Sequence, residues 1–152
     1  MRKGILSATL AVSLVFSGGA AVAASVEQEQ AFVTAYQAAF EAEDAAALHA
    51  FLFTDGAIPM AVDFYKEMMT AEFGKPIRAI ALEELTADDI AEVDSVMPTP
   101  DGGTARLAPR PYKKLVITID TSDDNGSSYS TSTAFVAEAD GRLGIATPVP
   151  AD

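Results

Sequence analysis

The sequence predicts an α+β domain, with its helices at the front of the chain and an antiparallel sheet packed on them. Three observations predict it. Apolar residues recur at helical spacing up to Phe73; from Ile77 the pattern changes to the alternation of strands; and the turn signals Ser122-Asp123-Asp124-Asn125-Gly126 and Asp140-Gly141 cut the C-terminal third into neighbours able to pair. About 128 residues follow Ala24, enough for one domain with a core and too few for two ordinary ones.

The elements follow in order. Arg2 and Lys3 precede an uncharged run, Ile5 to Phe16, then Ser17-Gly18-Gly19 and the small residues Ala20 to Ala24. This is the order of a secretory signal peptide over 1–24, cut after Ala23 or Ala24. The second cut is favoured because Ser25 then opens the mature chain. An uncleaved anchor is the alternative, but Gly18-Gly19 breaks the run and its second half is alanine rather than leucine. The chain has no cysteine, which excludes lipoprotein processing, thiol catalysis and thiolate metal sites. The expected location is periplasmic or secreted, with no stable membrane association once the signal is removed.

The single domain, 25–152, opens on Ser25-Val26-Glu27-Gln28, the spacing of a capping box. Phe32, Val33, Tyr36 and Phe40 then mark one amphipathic helix over 26–42. Asp44 caps a shorter helix with Leu48, Phe51 and Leu52 on one face. After the turn Thr54-Asp55-Gly56, a third helix runs over 57–73 with Ile58, Ala61, Phe64, Tyr65, Met68 and Met69 inward, stopped by Gly74 and Pro76. A strand follows over 77–82, and Thr86-Ala87-Asp88-Asp89 can cap a further helical turn. Residues 97–111, with Pro98, Pro100, Gly102, Gly103, Pro109 and Pro111, read as a loop. Leu115, Ile117 and Ile119 alternate in a strand over 112–120; a second covers 128–138. Leu143, Ile145 and Val149 alternate in a final strand, where Pro148 fits only at an edge or end.

This layout resembles the NTF2-like (cystatin-like, SnoaL-like) superfamily. The resemblance rests on the acidic turn Glu43-Asp44 before Ala45-Ala46-Ala47-Leu48, and on the closing stretch Phe135-Val136-Ala137-Glu138-Ala139-Asp140-Gly141-Arg142-Leu143. It covers residues 26–149. It implies a curved antiparallel sheet forming a cone with the helices, a pocket between them, and frequent homodimerisation through the sheet. The aromatic residue common after Asp-Gly is replaced here by Leu143-Gly144, and residues 86–111 fit the pattern poorly. The superfamily holds isomerases, dehydratases, hydrolases and binding domains, so the resemblance implies no one chemistry.

The pocket-lining candidates are Tyr36, Phe40, His49, Tyr65, Met68 and Met69. His49 is the only histidine, bordering the apolar stripe of its helix, and could form an acid/base pair with Asp44 or Asp55; a partly exposed helix histidine without a task is the plainer reading. Tyr36 and Tyr65 can donate a phenolic hydrogen bond to a ligand carbonyl, or be core aromatics. Met68 and Met69 are core first and pliable lining second. Arg106, Arg110, Lys113 and Lys114 form a basic surface cluster at a strand expected to be an edge, suited either to an acidic partner or to edge protection. The loop at Asp120, Asp123, Asp124 and Asn125 fails the calcium-binding template, since Thr121 and Ser132 stand where the first Asp and closing Glu belong. No metal and no cofactor are expected. The formal net charge of −12 opposes nucleic acid and anionic lipid and favours cationic partners. The expected function is non-catalytic binding of a small apolar ligand or a protein partner; a small lyase, isomerase or hydrolase using a pocket tyrosine with Asp or His is the alternative.

Overall fold

The computed structural model describes residues 24–151; the signal-peptide reading of 1–24 lies almost wholly outside them. Helix α1 (Val26–Glu41) begins where its caps dictate. Gln28 N–H donates to Ser25 Oγ at 3.2 Å, and Ser25 N–H donates back to Gln28 Oε1 at 2.8 Å. Asp44 caps α2 (Ala45–His49) by accepting from the Ala47 N–H at 3.0 Å. Pro59 opens α3 (Pro59–Thr70), supplying a fixed φ where no N–H partner exists. Strand β1 (Ile77–Glu84) leads to α4 (Ala87–Val93), which carries a second capping box from Thr86 and Asp89.

Two sheets follow. The larger has the order β1-β4-β5-β6, with β4 (Lys113–Asp120), β5 (Tyr129–Ala139) and β6 (Arg142–Ile145), all antiparallel. The smaller has the order β2-β3-β7, with β2 (Met97–Pro98), β3 (Thr104–Ala108) and β7 (Thr147–Pro150). The architecture is therefore α+β, with N-terminal helices packed on a curved antiparallel sheet.

The sheet has a core on each side. On the helix side, Phe32, Tyr36, Ala39 and Phe40 of α1 meet Leu115, Ile117 and Ile119 of β4 and Val136 and Ile145 beyond them. Phe51 joins this layer edge-on to Phe32 at 5.4 Å between ring centroids. On the opposite side, Phe53, Val93, Leu107, Ala137 and Ala146 form a second core that seats α4 and the small sheet. The first layer follows from period-2 alternation in β4; the second uses the other face of β5, whose Phe135, Ala137 and Ala139 are also apolar.

Four expectations are corrected here. Residues 97–111 are not a continuous loop: β2 and β3 form there, because Ala105 and Leu107 alternate inward beside exposed Thr104 and Arg106. The final strand is two, β6 and β7, lying in different sheets. Helix α3 is shorter than 57–73 and rotated from the expected phase: Val62 is buried and Tyr65 and Met69 half-buried, while Phe64 and Met68 are 57% and 52% exposed. The helix is apolar on two sides, so periodicity left its phase open. Finally, β4 is an interior strand flanked by β1 and β5, so its lysines protect no edge.

The basic cluster is dispersed by that same placement. Lys113 and Lys114 are adjacent on a strand and so point to opposite faces. Lys113 reaches Glu29 of α1 at 2.9 Å and Glu84 at 3.1 Å, while Lys114 reaches Asp89 of α4 at 2.7 Å. Arg110 pairs with Asp94 at 2.5 Å, and Arg106 is exposed on β3. The two lysines thus act as latches that hold α1 and α4 to the two sides of one sheet. The Lys114 ammonium and the Thr86 hydrogen bonds hold the Asp89 carboxyl down to about 2. Among the described residues no helix is long and apolar enough to cross a membrane.

Candidate functional site: a cleft between the third helix and the edge of the sheet

A cleft of about 200 Å³ opens between α3 and β5. Its floor is Ile117, Ala134 and Ile145 of the sheet with Leu52; Tyr65, Met68 and Met69 of α3 form one wall, and Met97, Leu107 and Glu92 stand on the side of the small sheet and α4. A second hollow continues it along β5, lined by Tyr36, Phe40, Met68, Met69 and Ile119. The lining is dominated by apolar side chains with few polar groups, the composition of a binding site for an apolar group.

Tyr36 is the polar group set deepest in it. Its ring packs against Phe51 at 5.3 Å and Phe32 at 6.3 Å, and the residue is only 3% exposed. The hydroxyl makes no hydrogen bond to another described residue, yet no described side-chain oxygen is both sealed and unpartnered. The Tyr36 hydroxyl is therefore open to the cleft. Burial pushes the phenol up to about 12, so it stays protonated through the neutral range and presents a donor. Tyr65 is half-buried on the opposite wall, and its hydroxyl likewise has no partner among the described residues. Burial, then the nearby Glu92 carboxylate, raise its pKa. A third tyrosine, Tyr112, is engaged elsewhere: it donates to Glu29 at 3.1 Å, and burial and that carboxylate push it up.

Of the sequence candidates, Tyr36, Tyr65, Met68 and Met69 line the cleft, and Phe40 lines its continuation. His49 does not. Its Nε2 lies 3.3 Å from the Lys66 carbonyl, where it ties the end of α2 to α3. Asp44 is spent on the cap of α2, and Asp55 is exposed in a turn. No His–Asp pair forms: the His49 ring is turned to the Lys66 carbonyl of α3, and the Asp44 carboxylate to the Ala47 N–H. The sequence reading missed Glu92, Met97 and Leu107, which come from residues 86–111, the stretch that fits the NTF2-like pattern poorly; the apolar alternation of Ala105 and Leu107 was the available signal. Among the described residues no three His, Asp or Glu side chains are grouped to hold a metal ion.

No protein-family model and no curated protein matches this chain. Two of the solved structures similar to it are the following. One, a candidate polyketide cyclase from Xanthomonas campestris pv. campestris, aligns with 20% identity and a TM-score of 0.38 over 81% of this chain and 90% of that one. The other, a protein of unknown function from Mycobacterium tuberculosis, aligns with 14% identity and a TM-score of 0.38 over 82% of this chain and 69% of that one.

Proposed function

We propose that this is an exported NTF2-like domain that binds an apolar group in the cleft between α3 and β5 and performs no chemistry on it. The observation that supports this most directly is the buried Tyr36, whose hydroxyl faces an apolar cleft with no partner among the described residues. A donor open to an apolar cleft is matched when a ligand brings an acceptor. Of the groups expected to serve the catalytic alternative, Tyr36 and Tyr65 line the cleft, but their expected partners Asp44, Asp55 and His49 lie outside it, and the carboxylate that lines it, Glu92, is an exposed residue.

The test is Nile red, an uncharged apolar dye with a carbonyl. It is expected to bind saturably, one per chain. Tyr36→Phe keeps the ring and loses only the donor, and should weaken the dye by about fivefold, the worth of one hydrogen bond. Unsaturable binding, or an affinity indifferent to the hydroxyl, would overturn the reading.

Export is supported by the order of residues 2–24. N-terminal sequencing of the protein from a bacterial periplasm or medium should begin at Ser25 or Ala24. A start at Met1 sinks the proposal. Either cut leaves Ser25 in place to cap α1.

A further inference from the structure

Strand β5 uses only part of one of its edges. The Ala146 N–H donates to the Phe135 carbonyl at 2.9 Å, and within a strand a residue's N–H and C=O point to the same side. Odd-numbered residues of β5 therefore turn their backbone toward β6, and even-numbered ones toward β4. The bond from Thr121 N–H to the Ser128 carbonyl at 3.0 Å, across the β4–β5 hairpin, agrees with this. Strand β6 pairs with β5 only from Val136 to Ala139. Before that, the backbone groups of Thr131 and Thr133 face outward with no partner among the described residues, and both residues are exposed.

The sequence enforces the gap. Continuing the β5–β6 register would set Pro148 opposite Thr133 and Pro150 opposite Thr131. Both are positions where paired residues exchange two hydrogen bonds, and proline has no N–H to give. The chain instead leaves β5 at Ala146 and pairs residues 147–150 with β3.

The sheet's other free edge is guarded differently. Strand β1 carries Arg78, Glu83 and Glu84, and a register shift between Ile77 and Ala79. Charges and bulges of this kind discourage strand addition. Residues 129–134 carry no charge, no proline and no bulge. Beside them runs the apolar hollow under Met68 and Met69, and no lysine or arginine lines it. Glu92 lines one end of the hollow and Glu72 the other, in a chain of net charge −12.

The geometry points to addition of an extended, cationic and amphipathic segment of a partner protein as a strand along residues 129–134 of β5. Its apolar side chains lie toward α3, and its lysines or arginines lie on the other face, in the field of a chain of net charge −12 and beyond Arg78, which stacks on Tyr129 at the start of the strand. The inference rests on the binding reading above and names the occupant. A second copy of this chain fits less well, since it offers a row of small serines and threonines to a hollow floored by Tyr36, Ile117 and Ile119, and brings the same sign of charge.

The probe is a blocked octapeptide alternating valine and lysine, with a valine–glutamate octapeptide beside it. Each is titrated into the protein while amide exchange is followed by NMR and Nile red by fluorescence. The lysine peptide should displace the dye and slow exchange at Thr131 and Thr133 by at least about tenfold, leaving the amides of β1 unchanged. Thr131→Pro removes one donor from the free edge and should weaken the peptide by about tenfold, one bond and its neighbour's geometry. Thr131→Lys keeps the backbone and sets like charge against the peptide, so it too should weaken binding; circular dichroism of both variants reports the fold. No binding of the lysine peptide, equal binding of the glutamate peptide, or dye displacement without slowed amides overturns strand addition. Amides already slow in a dimer of the protein alone make a second copy the occupant and also overturn it. Failure of Nile red to bind wild type strikes the cleft reading itself, and the amides then judge strand addition separately.

Discussion

Gly144→Ala is expected to destabilise the domain by about 3 kcal/mol, the upper range for forcing atoms into a packed site. A Cβ on Gly144 would lie 2.6 Å from the Phe51 carbonyl oxygen, 2.8 Å from the Phe53 ring and 3.0 Å from the Arg142 guanidinium. The arginine can swing aside. The Phe51 oxygen cannot, because it accepts from the Ile145 N–H at 2.7 Å, and the Ile145 carbonyl in turn accepts from the Phe53 N–H at 2.9 Å. Residues 51–53 are thus bound as a short parallel strand along the outer edge of β6, bridged at Leu52 and Ile145. Relief of the clash requires breaking that bridge. Urea unfolding of the variant, read against wild type, measures the cost; a loss below about 1 kcal/mol would show that residues 51–53 yield easily and would refute this account of the glycine.

That glycine also explains the clearest departure from the NTF2-like pattern. Where the resemblance implies an aromatic after Asp-Gly, this chain has Leu143-Gly144, and at Gly144 the 51–53 segment leaves no room even for a Cβ. The departure was visible in the sequence, but its cause was not: it depends on a contact between residues some ninety positions apart, which no local pattern reports. The same division runs through the rest of the fold. The helices at 26–41 and 45–49, the hairpin at 121–128 and the turn at Asp140-Gly141 were legible because caps and turns are local chemistry. Asp140 and Gly141 both take positive φ, as a two-residue turn between paired Ala139 and Arg142 requires.

What was not legible depended on which partner an element finds. Lys113 and Lys114 read as one cluster because they are adjacent, yet strand geometry sends them to opposite faces and to separate acidic partners. Pro148 was read as an edge or end residue within one final strand. Its partner Pro150 turns that local reading into a topological one: two missing donors at alternate positions move the strand to another sheet and leave β5 with a free edge. Tyr36 and Tyr65 were placed on sheet-facing helix positions by periodicity alone. Their open hydroxyls could not be read there, because whether a hydroxyl is sealed by a protein partner or left facing a cleft is a property of the surroundings.

Phe53→Ala is expected to cost about 3–5 kcal/mol, as for other aromatic truncations in packed cores. Phe53 is buried at the centre of the second core, against Val93, Leu107, Ala137 and Ala146. Its backbone stays engaged whatever the side chain, through the Ile145 carbonyl and through the Thr147 hydroxyl, which donates to the Phe53 carbonyl at 2.5 Å. The variant therefore isolates what the ring contributes. The Arg142 guanidinium lies 4.1 Å above that ring, so Phe53→Leu, which keeps most of the bulk and loses the aromatic face, should cost less, and its coupling with Arg142→Met in a double-mutant cycle should be about 1 kcal/mol or less. A cost for Phe53→Ala no greater than that coupling would mean that α4 and the small sheet are not held by this core. The consequence for binding follows from position. Leu107 belongs to the second core and also lines the cleft, and Glu92 and Met97 reach the cleft from the elements that this core seats. Phe53→Ala should therefore weaken Nile red well below the temperature at which the variant unfolds, although Phe53 itself lies outside the cleft lining. An unchanged dye affinity would separate the second core from the site, leaving the cleft supported from the helix side alone.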